Sequence, residues 1–80
     1  MHLKVISPNE ILYQGEVSLV QMPGKMGSFE VLVNHAPIVA LLDPGRIKII
    51  DNQRNLVFLT IPAGVVHVRN NTITIITERE

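Results

Sequence analysis

Hydrophobic and polar residues alternate along nearly the whole chain. Leu3 and Val5 alternate with His2 and Lys4, and Val17 and Leu19 with Glu16 and Ser18. Ile47 and Ile49 alternate with Arg46 and Lys48, Val66 and Val68 with His67 and Arg69, and Ile73 and Ile75 with Thr72 and Thr74. A period of two sends successive side chains to opposite faces, so each run predicts a strand with one apolar and one wetter face. Half-wet strands of this kind suit antiparallel sheets. Isoleucine, valine and threonine dominate these runs, and β-branched side chains pack well on a pleated surface. One run, Leu56-Val57-Phe58-Leu59, is apolar on both faces. Such a strand belongs either at the centre of a sandwich or at an interface. No stretch shows helical spacing with caps.

Turn residues fall between the runs. Ser7-Pro8-Asn9, Pro23-Gly24, Asp43-Pro44-Gly45, Asp51-Asn52-Gln53 and Asn70-Asn71 all predict turns. Asn70-Asn71 between Val68 and Ile73 predicts a tight hairpin, because asparagine tolerates positive φ. The regular spacing predicts an all-β domain over residues 1–80, with about eight to ten short strands in two mainly antiparallel sheets packed as a sandwich.

Composition narrows the function. The chain has 80 residues, one domain at most. A chain this short buries only about 60% of its unfolded surface, so a partner surface contributes to how such a domain survives. Apolar residues make up 46% and formal net charge is zero, which excludes a disordered chain. No basic cluster and no tryptophan marks a nucleic-acid footprint. There is no cysteine, which excludes disulfides, thiolate metal sites and a cysteine nucleophile. Met1-His2-Leu3-Lys4 starts directly in alternating sequence rather than in a signal peptide. No apolar run approaches the about twenty residues that cross a membrane as a helix, so membrane association is expected only through partners.

No constellation points to catalysis. His2, His35 and His67 lie far apart and form no H-x-H or H-x-x-x-H pattern, so no metal site is expected. The carboxylates are scattered, mostly in turns, and no cofactor is expected. Gly24-Lys25-Met26-Gly27 lacks the order of a phosphate-binding loop, and a strand rather than a helix follows it. Its two glycines mark a tight turn that exposes Lys25 and Met26. Asn34-His35-Ala36-Pro37 is a second compact turn, with Asn34 suited to the left-handed region and Pro37 holding Ala36 extended. An alternative reading takes Lys25 as the modified lysine of a lipoyl- or biotinyl-type carrier domain. Its early position and the unlike halves of the chain speak against that.

The same stretch resembles the N-terminal domain of the ATP synthase epsilon-subunit family. The likeness lies in Gly24 and Gly27, then His35-Ala36-Pro37, then Pro44-Gly45-Arg46-Ile47-Lys48-Ile49. It extends through Leu3-Lys4-Val5-Ile6-Ser7-Pro8, Gly15-Glu16-Val17, Leu59 to Val68 and Asn71 to Ile76, and so covers the whole chain in order. Members often have glycine where Glu30 stands and proline-glycine where Val33-Asn34 stands. They usually continue into a helical hairpin, which binds ATP in some and can inhibit rotation. These 80 residues hold no counterpart of it, so an inhibitory, ATP-sensing role is not expected of them.

The resemblance implies a flattened β-sandwich and a non-catalytic subunit of the rotating central stalk. That subunit links gamma to the ring of c subunits and couples ion flow to ATP synthesis. It implies a c-ring contact at Met26, Gly27, Ser28, Phe29 and Glu30, with Met26 and Phe29 as anchors. It implies a gamma contact at Ser7, His35, Ala36 and Pro37. The expected location is the cytoplasmic side of a bacterial inner membrane, peripheral and held by partners.

Overall fold

The computed structural model describes residues 1–78, and all of its regular structure is strand. The strands are β1 (His2–Ile6), β2 (Ile11–Gly24), β3 (Gly27–Leu32), β4 (Ile38–Leu42), β5 (Gly45–Asp51), β6 (Leu56–Ile61), β7 (Gly64–Arg69) and β8 (Thr72–Thr77). Pairing is antiparallel throughout except between β1 and β8, which run parallel.

One layer has the order β3-β2-β5-β6 and the other β4-β7-β8-β1-β2. These are the two mainly antiparallel layers expected from the sequence, and β2, 14 residues long, serves both and makes the ladder continuous. Its first half pairs with β1 and its second half with β5 and β3. The change of layer comes at a bulge. Val17 pairs with Asp51 but Leu19 with Ile50, so Ser18 is the extra residue. A bulge bends its strand and leaves one residue outside the ladder. The Ser18 hydroxyl meets part of that loss by donating to the Ile50 carbonyl at 3.2 Å.

The core is what the alternation predicts except in β2, where the bulge at Ser18 turns Val20, and not Leu19, to the buried face with Val17. Val20, Val31, Ile47 and Ile49 from one layer join Leu3, Val5, Val66, Val68, Ile73 and Ile75 from the other in a single buried cluster. Interdigitated side chains from two inner faces make a sandwich core. Thr77 is buried among them, and its hydroxyl donates to the Ile6 carbonyl at 3.3 Å.

Turn chemistry follows the asparagines. Asn70 and Asn71 both take positive φ, 51° and 59°, and close the β7–β8 hairpin. Asn34 takes φ 63°. Pro23-Gly24, expected in a turn, are instead the last residues of β2. Gly24 pairs with Gly27, leaving Lys25 and Met26 as the two-residue tip.

The strand that is apolar on both faces, β6, is not central. It is an edge strand, hydrogen-bonded among the described residues only to β5. Leu56 and Phe58 point outward and are exposed, while inward-pointing Val57 and Leu59 are only half-buried.

Candidate functional site

The β2–β3 tip folds against β4. The Lys25 N–H donates to the Leu41 carbonyl at 2.9 Å, and the Asp43 N–H to the Pro23 carbonyl at 2.8 Å. Between tip and strand lies an apolar groove of about 450 Å³, whose walls include Met26, Gly27, Phe29, Ile38, Val39 and Leu41. Gly24 makes the groove possible. A Cβ there would lie 2.6 Å from the Gly27 carbonyl oxygen and 2.7 Å from the Phe29 ring. Only glycine lets the ring lie across that backbone.

The five residues expected to act together here are divided. Met26 is fully exposed at the tip. Phe29 is half-buried: it packs on the core and also lines the groove. Glu30 pairs with Gln21, and Ser28 with Pro23, on the opposite, outward face of the sheet. Ser28 Oγ accepts a long hydrogen bond, 3.5 Å, from Gln21 Nε2. Met26, Gly27 and Phe29 thus form one surface, and Ser28 and Glu30 belong to another. Strand alternation compels this split.

The other expected set is spread along the five-stranded layer. Ser7 closes the β1–β2 turn. Its N–H donates to the Glu10 carbonyl at 2.9 Å, and its Oγ accepts from the Glu10 N–H at 3.2 Å. His35 closes the β3–β4 turn, with its N–H on the Leu32 carbonyl at 3.1 Å and Nδ1 at 2.7 Å from the Ala36 carbonyl. Ala36 and Pro37 are exposed beside it. Asn34 N–H donates to Asn71 Oδ1, which ties this turn to the start of β8. Ser7 follows Ile6, which pairs with Ile76 near the end of β8. The two turns therefore sit at opposite ends of the layer, about 16 Å apart at strand rise.

Between those ends runs a feature the alternation hides. Leu41 pairs with Val65, Val65 with Ile76, Ile76 with Ile6, and Ile6 with Ile11. All five side chains point outward. Leu41, Ile76 and Ile11 are 60%, 48% and 54% exposed, with Val65 and Ile6 partly covered between them. Monomeric surfaces rarely carry a contiguous apolar band of this kind unless something binds it. The next row, Val39–His67–Thr74–Lys4, is mixed.

Titratable groups are arranged for structure. The Glu16 carboxylate lies 2.7 Å from His2 Nδ1 and 3.6 Å from the amino terminus. The His2 hydrogen bond, more than the neighbouring charges, holds Glu16 below its ordinary pKa. Asp51 Oδ1 accepts from the N–H groups of Gln53 and Asn55, at 2.8 and 2.9 Å. The Asn55 backbone bond is the main reason its carboxyl titrates below the usual range. Burial, helped by Asp51, raises Tyr13. His2, His35 and His67 lie on β1, the β3–β4 turn and β7. Among the described residues no three of the His, Asp and Glu side chains gather in one place.

Comparison with known proteins accounts for this arrangement. The family described as ATP synthase, Delta/Epsilon chain, beta-sandwich domain matches residues 1–79. The ATP synthase epsilon chain of Leptospira borgpetersenii is 40% identical over 98% of this chain, which spans 61% of that relative's length. The Caulobacter vibrioides ATP synthase epsilon chain is 37% identical, and here the match covers 98% of this chain and 90% of the relative. Among solved structures, a chain in the Euglena gracilis mitochondrial ATP synthase, OSCP/F1/c-ring in rotational state 1, superposes with a TM-score of 0.87 at 23% identity. That match covers 94% of this chain and 48% of the other, and it shows the shared fold. With residues 1–79 matched by the family and relatives 40% and 37% identical over nearly its whole length, the chain belongs to the ATP synthase delta/epsilon-chain β-sandwich family.

Proposed function

We propose that the chain is a non-catalytic subunit of the central stalk of an F-type ATP synthase. In this reading it links gamma to the c-ring and couples ion flow to ATP synthesis. The observation that carries the reading is the outward apolar row Leu41–Val65–Ile76–Ile6–Ile11, paired residue to residue across five strands. It offers a partner a broad, rigid contact surface. The one apolar groove described has no carboxylate or histidine among its lining residues, so it suits an inserted side chain better than chemistry.

Gamma lies along the outer face of the five-stranded layer, from Ser7 at one end to His35, Ala36 and Pro37 at the other, with the apolar row between. The c-ring meets the β2–β3 hairpin. Met26 and Phe29 offer apolar anchors at the groove, as methionine and aromatics do at interfaces, while Ser28 and Glu30 contact a polar loop from the outward face. The complex would hold the chain peripherally at the cytoplasmic face of a bacterial inner membrane. The carrier-domain reading of Lys25 gives way to the family the chain belongs to.

Co-expression with gamma from the same genome tests the reading. A one-to-one complex on size exclusion, weakened by changing His35 and Pro37 together, supports it. A folded chain that elutes alone at micromolar concentration overturns it.

A further inference from the structure

The outer face of the five-stranded layer is divided into two zones, and we propose that the zone beside the His35 turn is a cationic contact for carboxylates on gamma. The proposal rests on the reading that gamma covers this face, and it names the partner chemistry required there.

Register sets the zones. The apolar row Leu41–Val65–Ile76–Ile6–Ile11 occupies the end that carries Ser7. The next row outward is Val39–His67–Thr74–Lys4–Gln14, and the one after it Arg69–Thr72–His2–Glu16. These side chains share the outer face, because their strand neighbours Leu3, Val5, Val66, Val68, Ile73 and Ile75 are buried in the core. Beyond them lies Asn71, which holds the turn of His35, Ala36 and Pro37 through Asn34.

Lys4 and Arg69 are the fixed positive charges of this zone. Its one carboxylate, Glu16, is already engaged, 2.7 Å from His2 Nδ1 and 3.6 Å from the amino terminus. Among the described residues no carboxylate lies within ion-pair distance of Lys4 or Arg69. The whole chain has zero formal charge, so the zone reflects segregation rather than excess. Glu30, for example, sits on the outer face of the other layer. Lys4 and Arg69 are two strands and two residues apart, about 12 Å between Cα atoms. That is too far for one carboxylate, but a single acidic segment can meet both.

A zoned face also fixes register. Apolar contact alone tolerates a partner that slides along the strands. Here a slide of two residues would carry partner carboxylates onto the apolar row, where they would be desolvated and unpaired. A rotor joint that bears torque gains from such resistance to slip.

The test is calorimetric titration of gamma from the same genome with this chain at about 0.1 and about 1 M salt, between which the screening length shortens from about 10 to about 3 Å. Wild-type affinity should fall with salt. Lys4→Glu and Arg69→Glu should each weaken binding about tenfold at the lower salt and lose most of that difference at the higher. Lys4→Gln and Arg69→Gln disturb the strands less and should weaken it by a smaller factor. Lys48→Glu makes the same charge change on the outer face of the other layer and should bind as the wild type does. Carbodiimide, which joins an amine to a touching carboxylate with loss of water, should link Lys4 Nζ to an aspartate or glutamate of gamma. Salt-independent binding with all four substitutions neutral overturns the proposal but leaves gamma on this face. Equal weakening by Lys48→Glu reduces the effect to net charge and overturns it too. Binding to phosphatidylglycerol vesicles that the two reversals abolish, with gamma binding untouched, assigns the zone to a lipid surface and overturns it. No complex with gamma under any condition overturns the underlying reading and the proposal with it.

Discussion

The backbone N–H of Asn34 donates to the side-chain oxygen of Asn71 at 2.9 Å, and both residues hold left-handed backbone. The bond joins the β3–β4 turn to the β7–β8 hairpin. It also positions the turn that carries His35, Ala36 and Pro37. A single asparagine thus serves a hairpin and a proposed contact surface at once.

Asn71→Ala removes the acceptor and the short polar side chain that lets asparagine tolerate positive φ, a conformation that costs about 1–2 kcal/mol for an ordinary residue. Asn71→Gly removes the acceptor but adopts the left-handed backbone freely. Urea unfolding should show the alanine variant losing about 2 kcal/mol, with the glycine variant losing less. The glycine variant should stay folded yet bind gamma more weakly, because the His35 turn is no longer tied down. Equal losses in the two variants would mean that the left-handed conformation at 71 contributes nothing.

Gly24→Ala would place a methyl 2.6 Å from the Gly27 carbonyl and 2.7 Å from the Phe29 ring. At Gly64 the same change meets the Ile76 carbonyl at 2.5 Å and the Thr77 Cα at 3.2 Å. Overpacking of this kind costs about 1–3 kcal/mol. Gly64→Ala should cost more, because all three nearest atoms are backbone, whereas at Gly24 the Gly27 carbonyl is the one backbone contact and the Phe29 ring can rotate away. Thermal unfolding of both variants checks the order. In Gly24→Ala the displaced ring should also alter the groove and weaken association with the c-ring.

Much of the fold was legible in the alternation. It marked the inward residues of β1, β5, β7 and β8 but misplaced Leu19 beyond the β2 bulge, and Asn70-Asn71 and Asn34 announced their own backbone. Register was not legible. Val5-Ile6, Ile11-Leu12, Leu41-Leu42, Val65-Val66 and Ile75-Ile76 are apolar doublets that break the period near a strand end. Only the pairing reveals that one member of each lines up with the others in an outward row. The double duty of β2 depends on an extra residue at Ser18, and serine in a strand gives no signal of a bulge. The split between Phe29 and Glu30 was implicit in the period of two, but the family resemblance grouped them as a loop. β6 was legible as a strand apolar on both faces, but its place at the edge was not.

Acid should destabilise the chain partly through Asp51. Its folded pKa lies below the ordinary value, first because of the Asn55 N–H and then through the other bonds. A depressed carboxylate contributes stability above its unfolded pKa, about 4, and that contribution is lost as pH falls through the folded value. Asp51→Asn keeps Oδ1 as an acceptor but loses the charge. Its melting temperature should fall below the wild type by a few degrees near neutrality. The two curves should converge as pH drops below about 3. Glu16, depressed chiefly by His2, titrates in the same window, so Glu16→Gln should flatten a separate part of the acid limb. Parallel curves for Asp51→Asn and the wild type down to the lowest pH would remove Asp51 from the account.

The outward apolar row gives the sharpest separation between folding and binding. Leu41 and Ile76 are 60% and 48% exposed, and neither belongs to the buried cluster. Surface changes of this kind usually move stability by no more than about 0.5 kcal/mol. Leu41→Glu and Ile76→Lys should therefore melt close to the wild type. If gamma covers the row, a charge there must be desolvated without a partner, and truncating or charging a central anchor weakens binding by about 2 kcal/mol or more. That corresponds to at least a thirtyfold loss of affinity, by about 1.4 kcal/mol per decade. Met26→Asp, at the hairpin tip, should leave gamma binding intact and weaken only the c-ring contact. Titration of gamma with the three variants distinguishes the surfaces. Unchanged affinity in Leu41→Glu and Ile76→Lys would move gamma off this face, and loss of gamma binding in Met26→Asp would merge the two sites into one.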